Sequence, residues 1–182
     1  MIKSTEKSSV KWLAIVGTRE INREVLLFAR RKIRQKLREN FSVVSGGSTG
    51  IDHEAARMTY NFADRKNDNL NEKLKIFLPQ EFNLYLKNWH KRIKAGKVKS
   101  DDVAKMSQLL GKIYKKSPNV FIENLQFDEL NSEAFLFRDK QIAEFCDEML
   151  CFRVNKSPGT TFTADVAKSL GKKVEMFDFD IR

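Results

Sequence analysis

A glycine-rich segment is the part of this sequence whose residue types and spacing are best suited to binding an anion. It reads Ser45-Gly46-Gly47-Ser48-Thr49-Gly50-Ile51-Asp52, and it connects the mostly apolar run 41–44 to a segment with helical periodicity. Glycines allow backbone amides to converge at a helix N-terminus, where the partial positive charge favours a phosphate. Because the spacing matches neither G-x-G-x-x-G nor G-x-x-x-x-G-K-[ST], an ordinary strand–helix turn is the alternative interpretation.

Two further loops carry groups that bind anions, and each of them follows an apolar run. Gly17-Thr18-Arg19 follows residues 10–16, and the segment 155–160 follows residues 149–154. Arg19 can bind a phosphate in bidentate geometry, and the alternative for this residue is a surface ion pair. The second loop offers hydroxyl and amide donors at the start of a helix, from Ser157, Gly159 and Thr160.

Alternating strands and helices are predicted to position these loops. The predicted strands cover residues 10–16, 41–45, 74–78, 120–122, 149–154 and 173–177. The predicted helices cover residues 21–39, 51–63, 132–145 and 161–170. Residues 65–72 are polar and are predicted to form a loop. This alternation is typical of an α/β fold in which helices cover both faces of a mostly parallel sheet. Ligands of such sheets bind beyond the carboxyl ends of the strands. We therefore expect the three loops to meet at one edge of the sheet.

A basic helical hairpin is predicted over residues 79–117, between the third strand and the rest of the sheet. Two apolar stripes with helical spacing indicate its helices, and they consist of Phe82, Tyr85, Leu86, Trp89 and Ile93, followed by Val103, Met106, Leu110 and Ile113. Tyr85 and Trp89 fit the first stripe, so we expect them to pack in the core. Their alternative role among these lysines is to stack on nucleic-acid bases.

Positive charge is concentrated in this region of the chain. The formal net charge is +10, and residues 73–116 contain twelve Lys or Arg against three acids. A second basic group lies on the predicted first helix, whose polar face carries Arg23, Arg30, Arg31, Arg34 and Arg38. Segregated charge of this kind attracts polyanions such as nucleic acids, and solvated lysine-rich faces are the alternative explanation.

Composition argues against several other classes of protein. Residues 1–7 are polar and no apolar run is long enough to cross a bilayer, so we expect a cytoplasmic protein with no membrane contact. Cys146 and Cys151 are expected to be thiols of the core. Because His53 and His90 lack partners at ligand spacing, we expect neither a metal site nor a cofactor.

Four motifs in a fixed order resemble those of a known family. The matched stretches, with the family patterns in parentheses, are Val16-Gly17-Thr18-Arg19 (G-[ST]-R), Val44 to Ala55 (S-G-x-x-x-G-[IA]-D-x-x-A), Arg138-Asp139 (R-N) and Ser157 to Ala167 (S-G-[ST]-x-x-T-A-x-x-A). Over residues 10–64 and 132–178 the chain therefore resembles DNA-processing protein A, a member of the SLOG superfamily of Rossmann-like nucleotide binders.

The resemblance implies one Rossmann-like domain over residues 1–182, with the hairpin as an insertion and a nucleotide site at the carboxyl edge of the sheet. Proteins of this family act on single-stranded DNA, and superfamily relatives often pair through their helices. The implied partners are single-stranded DNA or a small nucleotide, and a second copy of the chain. The residues expected to bind the nucleotide or its phosphates are Gly17, Thr18, Arg19, Ser45, Gly46, Gly47, Gly50, Asp52, Arg138, Ser157, Gly159 and Thr160.

The sequence also departs from the patterns of its relatives. LOG phosphoribohydrolases carry P-G-G-x-G-T-x-x-E with a catalytic glutamate, whereas the corresponding stretch 157–163 has no carboxylate at the expected place, and Asp139 replaces the family's asparagine. We therefore expect a binding protein without catalytic residues. Two alternatives are left open: a sensor of a free nucleotide-derived signal, and an N-glycosidic hydrolase in which Arg138 and Asp52 or Asp139 replace the glutamate.

Overall fold

Six parallel strands form one sheet through the middle of the molecule. The computed structural model describes residues 10–181, so the polar residues 1–7 lie outside the described part of the chain. The strands are β1 (Trp12–Gly17), β2 (Ser42–Ser45), β3 (Leu74–Leu78), β4 (Phe121–Glu123), β5 (Glu148–Val154) and β6 (Lys173–Phe179). Their order is β4-β3-β2-β1-β5-β6, which puts β1 at the centre between β2 and β5.

Helices cover both faces of this sheet and confirm the predicted α/β, Rossmann-like class. They are α1 (Arg23–Arg38), α2 (Ile51–Lys66), the one-turn α3 (Leu70–Lys73), α4 (Phe82–Lys94), α5 (Ser100–Lys116), α6 (Ser132–Phe145) and α7 (Pro158–Ser169). Leu13 and Ile15 belong to the larger core, with α1, α2, α4 and α5, whereas Ala14 and Val16 belong to a second core with α6 and α7. In this part of the chain no helix is both long and apolar enough to span a membrane.

The first helix illustrates how local sequence sets the bounds of an element. Its buried residues recur every four positions, at Val25, Ala29, Ile33 and Leu37. The Asn22 side chain accepts a hydrogen bond from the backbone N–H of Val25 at 2.9 Å and caps the helix. The helix therefore begins at Arg23, two residues after the start that periodicity alone predicts.

Two sequence predictions are wrong at the level of single elements. The segment 65–72 is not entirely a loop, because α2 extends to Lys66, ends at Asn67 in a left-handed conformation (φ 55°) and is followed by α3. Helix α7 begins at Pro158 rather than Thr161, since proline is tolerated in the first helical turn.

The two helices between β3 and β4 are part of the larger core. Tyr85 and Trp89 of α4 are fully buried, which confirms that they pack in the interior, and the Tyr85 hydroxyl donates to the carbonyl of Gly47 at 3.3 Å. Val103 and Met106 of α5 are equally buried. Helix α4 therefore contacts the glycine-rich segment that follows β2.

Truncating a core leucine of α1 should destabilise the protein far more than truncating an exposed leucine of the same helix. Leu37 is 3% exposed and Leu27 is 47% exposed. We expect Leu37→Ala to lower the free energy of unfolding by about 2–5 kcal/mol, because it leaves a cavity, and Leu27→Ala to change it by less than about 0.5 kcal/mol. Urea unfolding followed by circular dichroism measures both values, and equal losses would contradict the assigned face of α1.

Candidate functional site

The three glycine-containing loops meet at a cleft at the carboxyl ends of β1 and β5. The cleft has a volume of about 390 Å³, within the range of small-ligand sites. Its walls come from the loop after β1, from the loop between β5 and α7, from Ser48 and Asp52 after β2, and from α6. Segments more than a hundred residues apart in the chain therefore form one concave surface.

The structure places eight of the twelve predicted site residues on the wall of this cleft. They are Gly17, Thr18, Arg19, Asp52, Arg138, Ser157, Gly159 and Thr160. The other four, Ser45, Gly46, Gly47 and Gly50, do not line it. All four lie in the segment after β2, and they support the cleft from behind.

Close packing explains the glycines of this segment. A Cβ at Gly46 would collide with the guanidinium of Arg138, and a Cβ at Gly50 would collide with the backbone carbonyls of Thr18 and Arg19. Gly50 also has a φ of +73°, a conformation that side chains disfavour. The Ser45 hydroxyl donates to the carbonyl of Ile15 at 3.0 Å. The glycines therefore let this segment approach the loop after β1 and helix α6.

Ser48 is the residue of this segment that turns toward the cleft. It is 2% exposed and lines the cleft, and none of the described residues hydrogen-bonds to its hydroxyl oxygen. A buried hydroxyl without a partner is uncommon in a folded protein, because the lost hydrogen bonds to water are not replaced. A polar group of a ligand in the cleft would satisfy it.

Arg138 connects the glycine segment, α2 and α6 through a buried cluster of charges. Its guanidinium donates to the carbonyl of Gly46 and lies 3.7 Å from a carboxylate oxygen of Asp52 and 2.7 Å from one of Asp139. The residue is 4% exposed and lies in the middle of α6. Its positive charge is therefore already matched by two carboxylates of the protein.

The environment of Asp52 changes the acidity of its carboxyl group. Burial raises the pKa to about 6, and the nearby charge of Asp139 acts in the same direction. Arg138 opposes this rise without cancelling it. The floor of the cleft consequently carries a carboxyl group that titrates near neutral pH.

Arg19 on the wall of the cleft and Arg92 beside it, behind the lining residues, lack this compensation among the described residues. The guanidinium carbon of Arg19 lies 4.3 Å from the ring centroid of Phe135, and that of Arg92 lies 5.8 Å from the same centroid. Within residues 10–181 neither forms an ion pair, and the buried Nε of Arg92 has no hydrogen-bond partner there. Burial and the neighbouring Arg138 and Arg92 lower the pKa of Arg19, but an arginine stays charged. This pair attracts an anion.

The N-terminus of α7 forms the opposite wall. Its first residues follow Asn155 and Lys156, which both have positive φ values, 47° and 53°. Thr160 donates from its hydroxyl to that of Ser157 at 3.3 Å, and a Cβ at Gly159 would meet no atom within 4 Å. The twelve-residue helix thus presents its positive end to the open space of the cleft.

The list of predicted site residues did not include three residues that the structure brings to this place: Ser48, Arg92 and Phe135. Arg92 lies three positions after Trp89 on α4, so helical spacing alone suggests that the two are neighbours. The sequence contains no comparable signal for Phe135, because its contact with Arg19 joins segments that are distant in the chain.

Replacing Gly46 by alanine should displace Arg138 and disrupt the buried cluster. We expect Gly46→Ala to lower the free energy of unfolding by at least about 2 kcal/mol, because the added methyl group occupies the space of the guanidinium. Gly111→Ala is the matched control, since its Cβ meets no atom within 4 Å, and we expect a gain of up to about 1 kcal/mol. Thermal or urea unfolding compares them, and a harmless Gly46→Ala would refute this packing.

The raised pKa of Asp52 should appear in the pH dependence of stability. The folded state holds this proton until about pH 6, whereas the unfolded chain releases it near pH 3.8. Stability from this group is therefore fully present below about pH 4 and is lost as the pH rises through 6. From pH 4 to pH 7 we expect the unfolding free energy of the wild type to fall relative to Asp52→Asn by up to about 3 kcal/mol. Parallel pH profiles of the two proteins would contradict the shift.

Comparisons with known proteins agree with this architecture. The model of the DNA recombination-mediator protein A family matches residues 3–95, slightly more than half of the chain. The structure of DNA processing protein A from Helicobacter pylori has a TM-score of 0.62 and 18% identity over 91% of the chain. The protein of the same name from Streptococcus pneumoniae has a TM-score of 0.60 and 17% identity over 92%.

The likeness has clear bounds. The chain spans 64% of the Helicobacter pylori protein and 50% of the Streptococcus pneumoniae protein in those structures. No curated protein sequence matches it. At 18% and 17% identity the two solved structures show only a shared fold. The match to the family model is what assigns the sequence to a family. This protein belongs to the DNA recombination-mediator protein A family.

Proposed function

We propose that this protein binds single-stranded DNA, with one phosphate-bearing nucleotide seated in the cleft at the carboxyl edge of the sheet. The observation that carries the proposal is the pair Arg19 and Arg92. Arg19 lines the cleft, Arg92 lies beside it, and neither forms an ion pair in the described part of the chain. The two guanidinium groups repel each other, and an anion bound at Arg19 would relieve this repulsion.

The rest of the cleft suits the other parts of a nucleotide. The α7 N-terminus, with Ser157, Gly159 and Thr160, offers donors to a second phosphate. Asp52 and Asp139 accept hydrogen bonds from a base or sugar and repel phosphates. We therefore place the phosphates toward the rim and the base or sugar toward the floor.

The basic hairpin over residues 79–117 extends this site in our proposal. A smaller depression next to the cleft shares Arg19 and Glu20 with it and is bordered by Lys97 and Lys99, in the connection between α4 and α5. A strand whose nucleotide occupies the cleft can therefore place its neighbouring phosphates beside these lysines. The contact is electrostatic and independent of sequence.

The comparisons support a nucleic-acid ligand. The Helicobacter pylori structure is described as having a unique single-stranded DNA binding mode. We propose the same ligand for this chain because the two proteins share a fold and because Arg19 lies at the matching position of the family pattern after β1. We infer binding without catalysis, since Arg138 engages Asp52 and Asp139, the two carboxylates at the floor of the cleft.

A free nucleotide is the second candidate ligand. The cleft has a volume of about 390 Å³, which is sufficient for a small ligand, and the hydrogen-bond donors at the start of α7 line it. A mononucleotide that raises the melting temperature by mass action, with no gain in affinity for an oligonucleotide, would favour a sensor over a DNA-binding protein.

Neutralising Arg19 should weaken binding of single-stranded DNA. We expect Arg19→Gln to raise the Kd for a fluorescent oligothymidylate at least about tenfold, because a desolvated guanidinium–phosphate contact is lost. The slope of log K against log salt should become shallower by about 0.7, the value for one phosphate contact with a single strand.

Arg65→Gln is the matched control, because Arg65 is exposed in the last turn of α2, at the opposite end of that helix from the cleft. It removes the same charge and should leave the Kd within about twofold, since an exposed charge beyond a Debye length is largely screened. Equal effects of the two variants would reduce the proposal to a general effect of net charge. Undetectable binding by the wild type at low salt would refute it.

A further inference from the structure

The outer face of α1 carries four arginines in one line. Arg23, Arg31, Arg34 and Arg38, here called the arginine stripe, are all exposed and lie on the side of the helix opposite its buried residues. At 100° per residue, these four positions fall within an arc of about 80°. With a rise of 1.5 Å per residue, the stripe is about 22 Å long.

No acidic partner neutralises the stripe. Within residues 10–181 none of its four guanidinium groups has a carboxylate oxygen within 4.0 Å. Arg30, beside it on the same helix, differs because it pairs with the buried Glu54 at 2.7 Å. Glu39 at the end of the helix is engaged by Gln35 and Lys36.

Arg38 lies in the last turn of α1, where the macrodipole favours a cation, but the rest of the stripe does not stabilise the helix. Arg31 and Arg34 are three residues apart, and Arg34 and Arg38 are four apart, which are the spacings at which like charges destabilise a helix. Arg23 occupies the first helical turn, where the macrodipole disfavours a cation. The stripe is therefore not explained by folding, and it suits an anionic ligand.

The position of the stripe connects it to the cleft. Glu20 lines the cleft and Arg23 begins α1 three residues later, so one end of the stripe lies next to the rim. The helix then returns along the sheet toward the start of β2. Its far end borders a shallow depression of about 320 Å³ formed by Arg31, Arg34 and Arg38 with Gln35 and Glu39.

We propose that the arginine stripe is a second nucleic-acid contact, which holds the phosphodiester backbone of the strand that leaves the cleft on the side of α1. This inference rests on the proposed function for the location of the strand. The hairpin lysines Lys97 and Lys99 border one depression and the stripe borders another, so the two arms of one strand can follow two separate tracks. Arg31, Arg34 and Arg38 lie three and four residues apart on one rigid helix, a line of cations that suits a line of phosphates, and binding is independent of base sequence.

The test compares two oligothymidylates, one of about six nucleotides that covers the cleft and its immediate rim and one of about twenty that also reaches Arg31, Arg34 and Arg38. The combined variant Arg31→Gln, Arg34→Gln and Arg38→Gln should bind the short strand as the wild type does. For the long strand we expect a loss of at least about tenfold in affinity and a salt slope shallower by about two, since three phosphate contacts disappear. Its melting temperature should be unchanged or higher.

The matched control removes three charges away from the stripe. Lys140 in α6, Lys168 in α7 and Lys172 just after α7 lie on the face of the sheet opposite α1 and can be replaced together by glutamine. This control should bind both strands as the wild type does. If it loses as much affinity for the long strand as the stripe variant, net charge and not the stripe is responsible, and the proposal is overturned.

Two other outcomes would also overturn the proposal, and each is distinct from failure of the cleft. Wild-type protein that binds both strands with equal affinity and salt slope has a cleft site but no track on α1. Stripe-dependent binding to phosphatidylserine vesicles, with no effect of the stripe variant on the long strand, would assign the arginines to a membrane surface. By contrast, a wild-type protein that does not bind the short strand would refute the function proposed for the cleft.

Discussion

The buried guanidinium of Arg138 is the interaction on which the site depends. It binds the carbonyl of Gly46 after β2, the carboxylate of Asp52 in α2 and the carboxylate of Asp139 in its own helix, α6. These groups come from both faces of the sheet. A buried charge of this kind requires partners in good geometry, because the cost of removing it from water is otherwise not offset. The glycine at position 46 provides the space that this geometry needs.

This cluster divides the charges of the cleft into two zones. Arg138 is matched by acids at the floor, whereas Arg19 at the wall and the neighbouring Arg92 contact the ring of Phe135 and form no ion pair with any described residue. Burial strengthens electrostatic interactions at both places, because the local dielectric is low. An anion is therefore favoured at the rim and disfavoured at the floor, and a nucleotide bound as we propose would take a defined orientation.

The fold was largely predictable because it follows from local patterns. Buried strands and a helical stripe such as Val25, Ala29, Ile33 and Leu37 have periods that are visible in the sequence. The errors arose where a single turn or cap decided the outcome. Asn67 ends α2 in a left-handed conformation, and Pro158 starts α7. Neither effect appears as a periodic pattern of apolar residues in the sequence.

The candidate site was predictable as a place and less so as a set of contacts. The order of strands and helices determined that the loops carrying Arg19, Asp52 and Ser157 would meet, since parallel strands share one carboxyl edge. The sequence by itself thus determined the fold class, the location of the cleft and the excess of positive charge. Only the tertiary structure decided which arginines are neutralised, that the glycines pack behind the cleft, and that the Ser48 hydroxyl faces it with no hydrogen-bond partner among residues 10–181. The physical reason is that charge pairing and burial depend on side chains brought together from distant parts of the chain, and no local pattern records those distances.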